Sequence, residues 1–274
     1  MLNVVFLILS AMGTLGIYIS VPTVSAWWIL PVWLACYIGA VFCHCLLICV
    51  SSIFLSPSKP IRKPSRFCRF MIPFTLEWVL KLFRVRITIE GDEKIPDVPC
   101  VIVSNHLSNF DPLAMLVALR RRNLVYISKD ANFRLPFVGN YINNAGFISI
   151  DRANGVRAKR SLELAAERMT EIGVDVGIYP EGTRSKTGKL LRFKSGAFYL
   201  AQMAHAPIVI LTTTGTADVR RNFPLRKTSV ELRIREVIDA ETVASGTVEA
   251  LCAYTEKVVE GALEKNLPSD GSAL

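Results

Sequence analysis

Mostly apolar, uncharged residues run from 2 to 21, pause at Pro22-Thr23-Val24-Ser25, and resume from 26 to 55. Each stretch is about the length that crosses a bilayer as a helix. Trp27, Trp28 and Trp33 gather at the start of the second, where an aromatic belt would lie. A secretory signal peptide is the rival reading of the first stretch. It is disfavoured because no basic region precedes the apolar run and a second run follows at once. The pattern predicts a helical hairpin with both ends on one side of a membrane. Pro31 could kink its second arm, so a re-entrant hairpin stays open.

Beyond residue 55 the pattern changes. Three prolines fall within Pro57 to Pro64, the composition of a linker. Residues 66–83 then mix basic and aromatic side chains and are too short and too charged to span. They predict an interfacial amphipathic helix broken at Pro73, or alternatively an ordinary core-facing helix. From Val85 onward, apolar runs of strand length alternate with helical periodicity. Strands are predicted at 85–89, 100–104, 124–128, 146–150, 174–179, 207–213 and 229–237. Helices are predicted at 112–121, 155–172, 195–205 and 241–266. That alternation implies an α/β fold, with a mixed, mainly parallel sheet flanked by helices. The expected division is a membrane-embedded hairpin over 1–56, a basic linker and interfacial segment over 57–84, and an α/β domain over 85–274.

Charge sharpens this reading. Residues 1–55 contain no Lys, Arg, Asp or Glu, yet the chain carries a net charge of +9. Lys59, Arg62, Lys63, Arg66, Arg69, Lys81, Arg84 and Arg86 follow the apolar region directly, with Glu77 the one acid among them. Positive charge there is a cytoplasmic signature, and it predicts a protein of the cell inner (plasma) membrane with its charged domain on the cytoplasmic face. A basic stripe interleaved with Phe67, Phe70, Phe74, Trp78 and Phe83 could also stack single-stranded nucleic acid. Tethering to a membrane argues against that, and no nucleic-acid partner is expected. The seven cysteines form no disulfide framework and suit a reducing compartment. Cys43-His44-Cys45 is not a metal site, because neighbours on a helix point about 100° apart.

Two short stretches carry chemistry. In Val-Ile-Val-Ser-Asn-His-Leu-Ser-Asn-Phe-Asp-Pro, residues 101–112, a strand leads into a loop and then a helix. Asp111 is expected at the helix N-cap and Pro112 at its first position. The carboxyl end of a strand in such a sheet lines the ligand crevice. A histidine there, held by a carboxylate on its other ring nitrogen, is a general base for neutral pH. No Gly-x-Ser-x-Gly nucleophile elbow occurs, so His106 could act on a substrate hydroxyl directly. The second stretch is Tyr179-Pro180-Glu181-Gly182-Thr183-Arg184, again straight after an apolar run. Arg184 offers a planar fork suited to phosphate. The following Gly182 to Lys189 segment is not a nucleotide loop, since its glycines are one residue too far apart and Leu190 stands where Ser or Thr is needed.

Asn105-His106-x4-Asp111 followed by Glu181-Gly182-Thr183-Arg184 resembles the glycerolipid acyltransferase family, and most closely its bacterial 1-acylglycerol-3-phosphate acyltransferases. Gly146 to Arg152, preceded by Lys129, Leu135, Pro136 and Gly139, and Pro207 in Ala-Pro-Ile-Val, resemble two further blocks of that family. The resemblance spans about residues 85–215. One departure is Leu107, where many members carry a polar residue.

The resemblance implies a base, His106, that takes the proton from a glycerol hydroxyl as it attacks an acyl thioester, with Asp111 orienting it. It implies that Arg184 clamps the phosphate and that Lys129 and Arg152 assist. Glu181, Gly182 and Thr183 would shape the acceptor site, and Asn105 would brace the loop. Lys194 with Ser195-Gly196 could serve the same pocket or be plain surface. The implied partners are lysophosphatidic acid, an acyl-CoA or acyl-carrier protein, and membrane lipids. No metal or cofactor is expected, because a thioester carries its own driving force. Glycerol 3-phosphate or another lysophospholipid is the alternative acceptor. A hydrolase is a third reading, and a non-catalytic binder of lipid or nucleic acid the rival from another class.

Overall fold

The computed structural model describes residues 2–21, 23, 25–55, 64–185 and 187–265. Nearly all of the expected linker, residues 56–63, lies outside them. The two apolar stretches form helices α1 (Leu2–Ser20) and α2 (Ile29–Ile53), joined through a short 3-10 turn at Ala26–Trp28. By length and composition both could cross a membrane. Pro31 falls in the first turn of α2, where a missing N–H breaks no helical bond. The two arms pack on each other, and Tyr37 donates to the Asn3 side chain at 2.8 Å. His44 is buried against Phe6 and Phe74 and lies 3.2 Å from the Thr75 hydroxyl. The hairpin thus meets helix α3 (Arg66–Leu82) through its one histidine and through Phe6, whose ring centroid lies 5.7 Å from that of Trp78.

α3 does not break at Pro73. Cys68 and Leu80, near its two ends, are fully buried, while Met71, Ile72 and Leu76 pack against the core between them. That packing offsets the one hydrogen bond that proline removes. The helix is therefore core-facing along one side, and it exposes Phe67, Phe70 and Leu82 on the other.

Seven strands form one sheet, as expected: β1 (Val85–Glu90), β2 (Val101–Ser104), β3 (Leu124–Lys129), β4 (Ile148–Ile150), β5 (Asp175–Ile178), β6 (Ile208–Thr214) and β7 (Thr228–Ile238). Their order is β1-β7-β6-β2-β5-β3-β4, and only the β6–β7 pairing is antiparallel. The inner strands read as near-continuous apolar runs because both faces are covered. Helices α7 (Gly155–Ile172), α8 (Gly196–Met203), α10 (Ala240–Ser245) and α11 (Val248–Glu264) form one packed group. α3, α4 (Phe110–Ala118) and α6 (Val138–Ala145) form another. Two short helices, α5 (Asp130–Phe133) and α9 (Val219–Asn222), complete the fold.

Several boundaries differ from expectation. The single helix expected over 241–266 is two, because Thr247 starts a new one by accepting the Ala250 N–H at 3.2 Å. α8 stops before His205, which adopts φ +48° beyond the helix end. α5 and α6 were not anticipated, their Pro- and Asn-rich sequence resembling a loop.

β2 occupies the centre, between β5 and β6. Its onward connection runs toward β3, whereas that of β6 runs the other way to β7. The carboxyl ends of β2 and β6 therefore flank a topological switch point, the place where such sheets open a crevice.

Candidate active site

Three loops meet at that edge. The first follows β2 and carries Asn105 and His106. Asn105 is fully buried, and its side-chain amide donates to the Thr213 carbonyl at 2.9 Å while its oxygen accepts the Thr213 N–H at 2.8 Å. It thus completes the β2–β6 pairing past the last strand residue and braces the loop. The next residue turns its ring toward Asp111, with His106 Nδ1 2.7 Å from Asp111 Oδ2.

Asp111 is not the N-cap. α4 begins at Phe110 after Asn109, so Asp111 is the second helical residue and Pro112 the third, still within the turn that lacks N–H partners. Its carboxylate instead reaches back over the loop. Oδ2 accepts the Leu107 and Ser108 N–H groups, each at 2.7 Å, and Oδ1 accepts the Thr216 hydroxyl. With the histidine, four donors surround a carboxylate of 0% exposure. A buried anion is tolerable only when its lone pairs are filled in this way. The carboxylate also sets the histidine tautomer. With Nδ1–H held by Asp111, neutral His106 carries its free lone pair on Nε2.

Thr216 had not been singled out. It follows Gly215 (φ +82°), where an added Cβ would lie 2.0 Å from the Ser229 carbonyl oxygen, so only glycine permits this close turn after β6. The available signal was its position just beyond the carboxyl end of an apolar strand. The same holds for Tyr179, which follows β5. Its ring stacks on the His106 imidazole with centroids 4.3 Å apart and planes 19° apart. Tyr126 stacks behind it at 5.8 Å. Burial pushes both phenols well above their ordinary pKa, so they remain neutral walls.

The loop after β5 supplies the third group. Glu181 is buried, and its carboxylate accepts the His106 N–H at 2.5 Å and the Leu191 N–H at 2.9 Å. Burial raises the Glu181 pKa, which the two N–H donors only partly offset. Glu181 therefore ties the second motif to the first through backbone, and its carboxylate faces the loops. Ser185 closes the link by donating its N–H to the His106 carbonyl at 2.9 Å.

The cations are arranged around Gly182. Arg152, reaching across the end of β3, donates to the Gly182 carbonyl. The Lys194 side chain lies over Gly182, where an added Cβ would sit 2.9 Å from its Nζ. Lys129 ends β3 and Arg184 follows in the β5 loop; both are exposed, and neither has a hydrogen-bond or ion-pair partner among the described residues. Thr183 is exposed beside them. So Asn105, His106, Asp111 and Glu181 converge directly, Arg152 and Gly182 touch each other, and Lys129, Thr183 and Arg184 stand on the rim.

An imidazole with a free Nε2, backed by a buried carboxylate and bordered by cations, suits proton abstraction from the hydroxyl of an anionic acceptor. The class this matches is the acyltransferases, whose family model covers residues 86–213. A 1-acyl-sn-glycerol-3-phosphate acyltransferase from Limnanthes douglasii is 30% identical over 196 residues, which is 72% of this chain and 68% of its own. One from Haemophilus influenzae is 27% identical over 224 residues, or 79% of this chain and 89% of its own. The crystal structure of the 1-acyl-sn-glycerophosphate (LPA) acyltransferase PlsC from Thermotoga maritima superposes with a TM-score of 0.59 at 26% identity, covering 85% of this chain and 95% of that one. The chain belongs to the 1-acyl-sn-glycerol-3-phosphate acyltransferase family.

Proposed function

We propose that this protein transfers an acyl group from acyl-CoA or acyl-carrier protein to the sn-2 hydroxyl of 1-acyl-glycerol 3-phosphate, giving phosphatidic acid. The observation that carries this reading is the His106–Asp111 pair, with Nδ1 held at 2.7 Å and Nε2 left free. His106 Nε2 takes the hydroxyl proton as that oxygen attacks the thioester carbonyl carbon. The tetrahedral intermediate collapses by breaking the C–S bond, and the proton passes from the imidazolium to the departing sulfur. Asp111 stays ionised and stabilises the imidazolium, following the triad logic with the substrate alcohol in the place of serine.

Arg184 and Lys129, lacking partners on the chain among the described residues, are free to take the acceptor phosphate. Arg152 and Lys194 add positive charge at Gly182. Glu181 and Asn105 are positioning residues, since their polar atoms are spent on backbone. On this reading residues 1–56 are the membrane-embedded part, 57–84 the basic segment at the interface, with α3 turned to the core along one side, and 85–274 the catalytic domain. The enzyme then belongs to the cell inner membrane, with its site on the cytoplasmic face. The support is the two apolar helices and the charge that follows them.

The acceptor is tested by incubating purified protein with a thioester donor and several acceptors, then analysing the lipids. Arg184→Ala should raise KM for phosphate-bearing acceptors while leaving phosphate-free ones unchanged. Acyl chains appearing on water, or equal KM effects on both acceptor types, would overturn the assignment.

A further inference from the structure

The turn after α5 presents Leu135, Phe137 and Val138 to solvent, each about half exposed at 49%, 46% and 52%. Phe137 has φ +60° and ψ −53°, a backbone conformation that side chains larger than glycine rarely adopt. An observed outlier of this kind is a reason to look for function. The turn is also fixed in place. Ser52, at the end of α2, donates its hydroxyl to the Phe137 carbonyl at 3.4 Å, and Asn140 donates its amide to the Ser52 carbonyl at 3.0 Å. Ser51 and Tyr141 share a hydrogen bond at 2.5 Å. The turn therefore sits level with the point where the second apolar helix ends in a highly exposed Phe54. Phe67, exposed on α3, lies against Tyr141 with ring centroids 6.3 Å apart, and the exposed Arg66 precedes it.

We infer that this turn is a second lipid-contacting element, inserting Leu135, Phe137 and Val138 into the headgroup–acyl boundary of the bilayer that holds the hairpin. The inference rests on the membrane reading of residues 1–56. A lipid surface is the occupant that fits, because the apolar centre is continuous with the exposed apolar flank of α2 and has a cation at its rim. An apolar turn with a basic margin matches an interface carrying anionic headgroups. The same connection starts at Lys129 on the catalytic edge and ends in this turn. An acceptor lying in the bilayer would thus meet the turn and the rim cation along one continuous segment. The hydrogen bonds at Phe137 engage its carbonyl and leave its ring half exposed, so insertion into the bilayer is what would bury that ring.

The test uses the full chain reconstituted into vesicles of phosphatidylcholine and phosphatidylglycerol bearing bromine on their acyl chains. Phe137→Trp is compared with the parent, so that Trp27, Trp28, Trp33 and Trp78 cancel. Leu135→Trp guards against a variant that fails to fold. The added emission should be blue-shifted and quenched by the brominated lipid, at a depth of about 5–10 Å. Red-shifted emission quenched by aqueous iodide would overturn the inference. Blue-shifted emission insensitive to bromine would also overturn it, placing the turn against protein, such as a second copy of the chain.

Phe137→Gly relieves the backbone and keeps the fold. It should slow turnover of vesicle-borne acceptor about tenfold while sparing a short-chain acceptor dissolved in water, since burying a phenyl group is worth roughly that factor. Equal loss on both acceptors contradicts the inference. The quenching result does not depend on catalysis, so a chain without transferase activity would still decide this point.

Discussion

The imidazole of His106 lies face to face on the ring of Tyr179, and Tyr126 stands behind both. The stack fixes a ring that Asp111 holds by one atom only. Tyr179→Phe should keep near-normal kcat, whereas Tyr179→Leu should lower kcat about 3- to 10-fold with KM little changed, the size expected for an aromatic pair. Steady-state kinetics with the lyso-acceptor decide it, and a pure KM effect would refute the positioning role.

Gly177 controls that stack from within β5. A Cβ there would lie 2.4 Å from the Tyr126 ring, which is buried and cannot swing aside. Gly177→Ala should therefore shift Tyr126 against Tyr179, lowering both thermal stability and kcat. Tyr126→Leu in the same chain makes room and should restore most of the stability but not kcat.

Thr216 donates to the buried Asp111 carboxylate. Thr216→Val keeps the shape and removes the donor, leaving a buried acceptor short of a partner at a cost of about 1–3 kcal/mol. Activity should fall by roughly one order of magnitude, and Thr216→Ser should retain it. Unchanged activity in Thr216→Val would show that Asp111 does not need this donor.

Glu181 accepts two backbone N–H groups. Glu181→Gln places an amide donor against one of them, so kcat should fall at least tenfold and the fold should loosen by about 1–3 kcal/mol. Because burial raises the Glu181 pKa in the folded state, its contribution to stability is fullest below the ordinary carboxyl pKa and is lost as pH rises through the raised value. The stability gap between wild type and Glu181→Gln should consequently depend on pH across that interval, measured by thermal melts.

At the opposite end of β2, burial pushes the Cys100 thiol up to about 12, with the neighbouring Asp175 carboxylate adding to the shift. The folded pKa exceeds the unfolded one, so this contribution is intact below about pH 9 and disappears toward pH 12. Melts of wild type against Cys100→Ala should show the gap narrowing over that alkaline range. In the native protein Cys100 should resist alkylation near neutral pH.

Much of the fold was legible because its strands are apolar runs bounded by turn residues, as at Val101 to Ser104 and Ile208 to Thr214. The hairpin was legible because it carries no charge. Pro73 misled because a local rule about proline cannot register the burial of Cys68 and Leu80 on either side. α6 was missed because Asn140, Asn143 and Asn144 look like loop, yet their segment is held by packing and by α2. The helix starts two residues earlier than expected, at Phe110 rather than Pro112, since Asp-Pro is itself a strong start signal. Within the site, the pointers to His106 and Asp111 were their place after an apolar strand and the second motif, Glu181 to Arg184, rather than their spacing. Thr216 stayed hidden because its contact depends on β6 lying beside β2, a matter of strand order that residues 105 positions apart do not announce.

The most direct measurement compares wild type with His106→Ala in acyl transfer to lysophosphatidic acid, with the folded state of each checked by circular dichroism and melting. Loss of a general base predicts a fall of about 10²- to 10⁴-fold in kcat with the fold intact. A correctly folded His106→Ala protein that turns over within a few-fold of wild type would contradict the account.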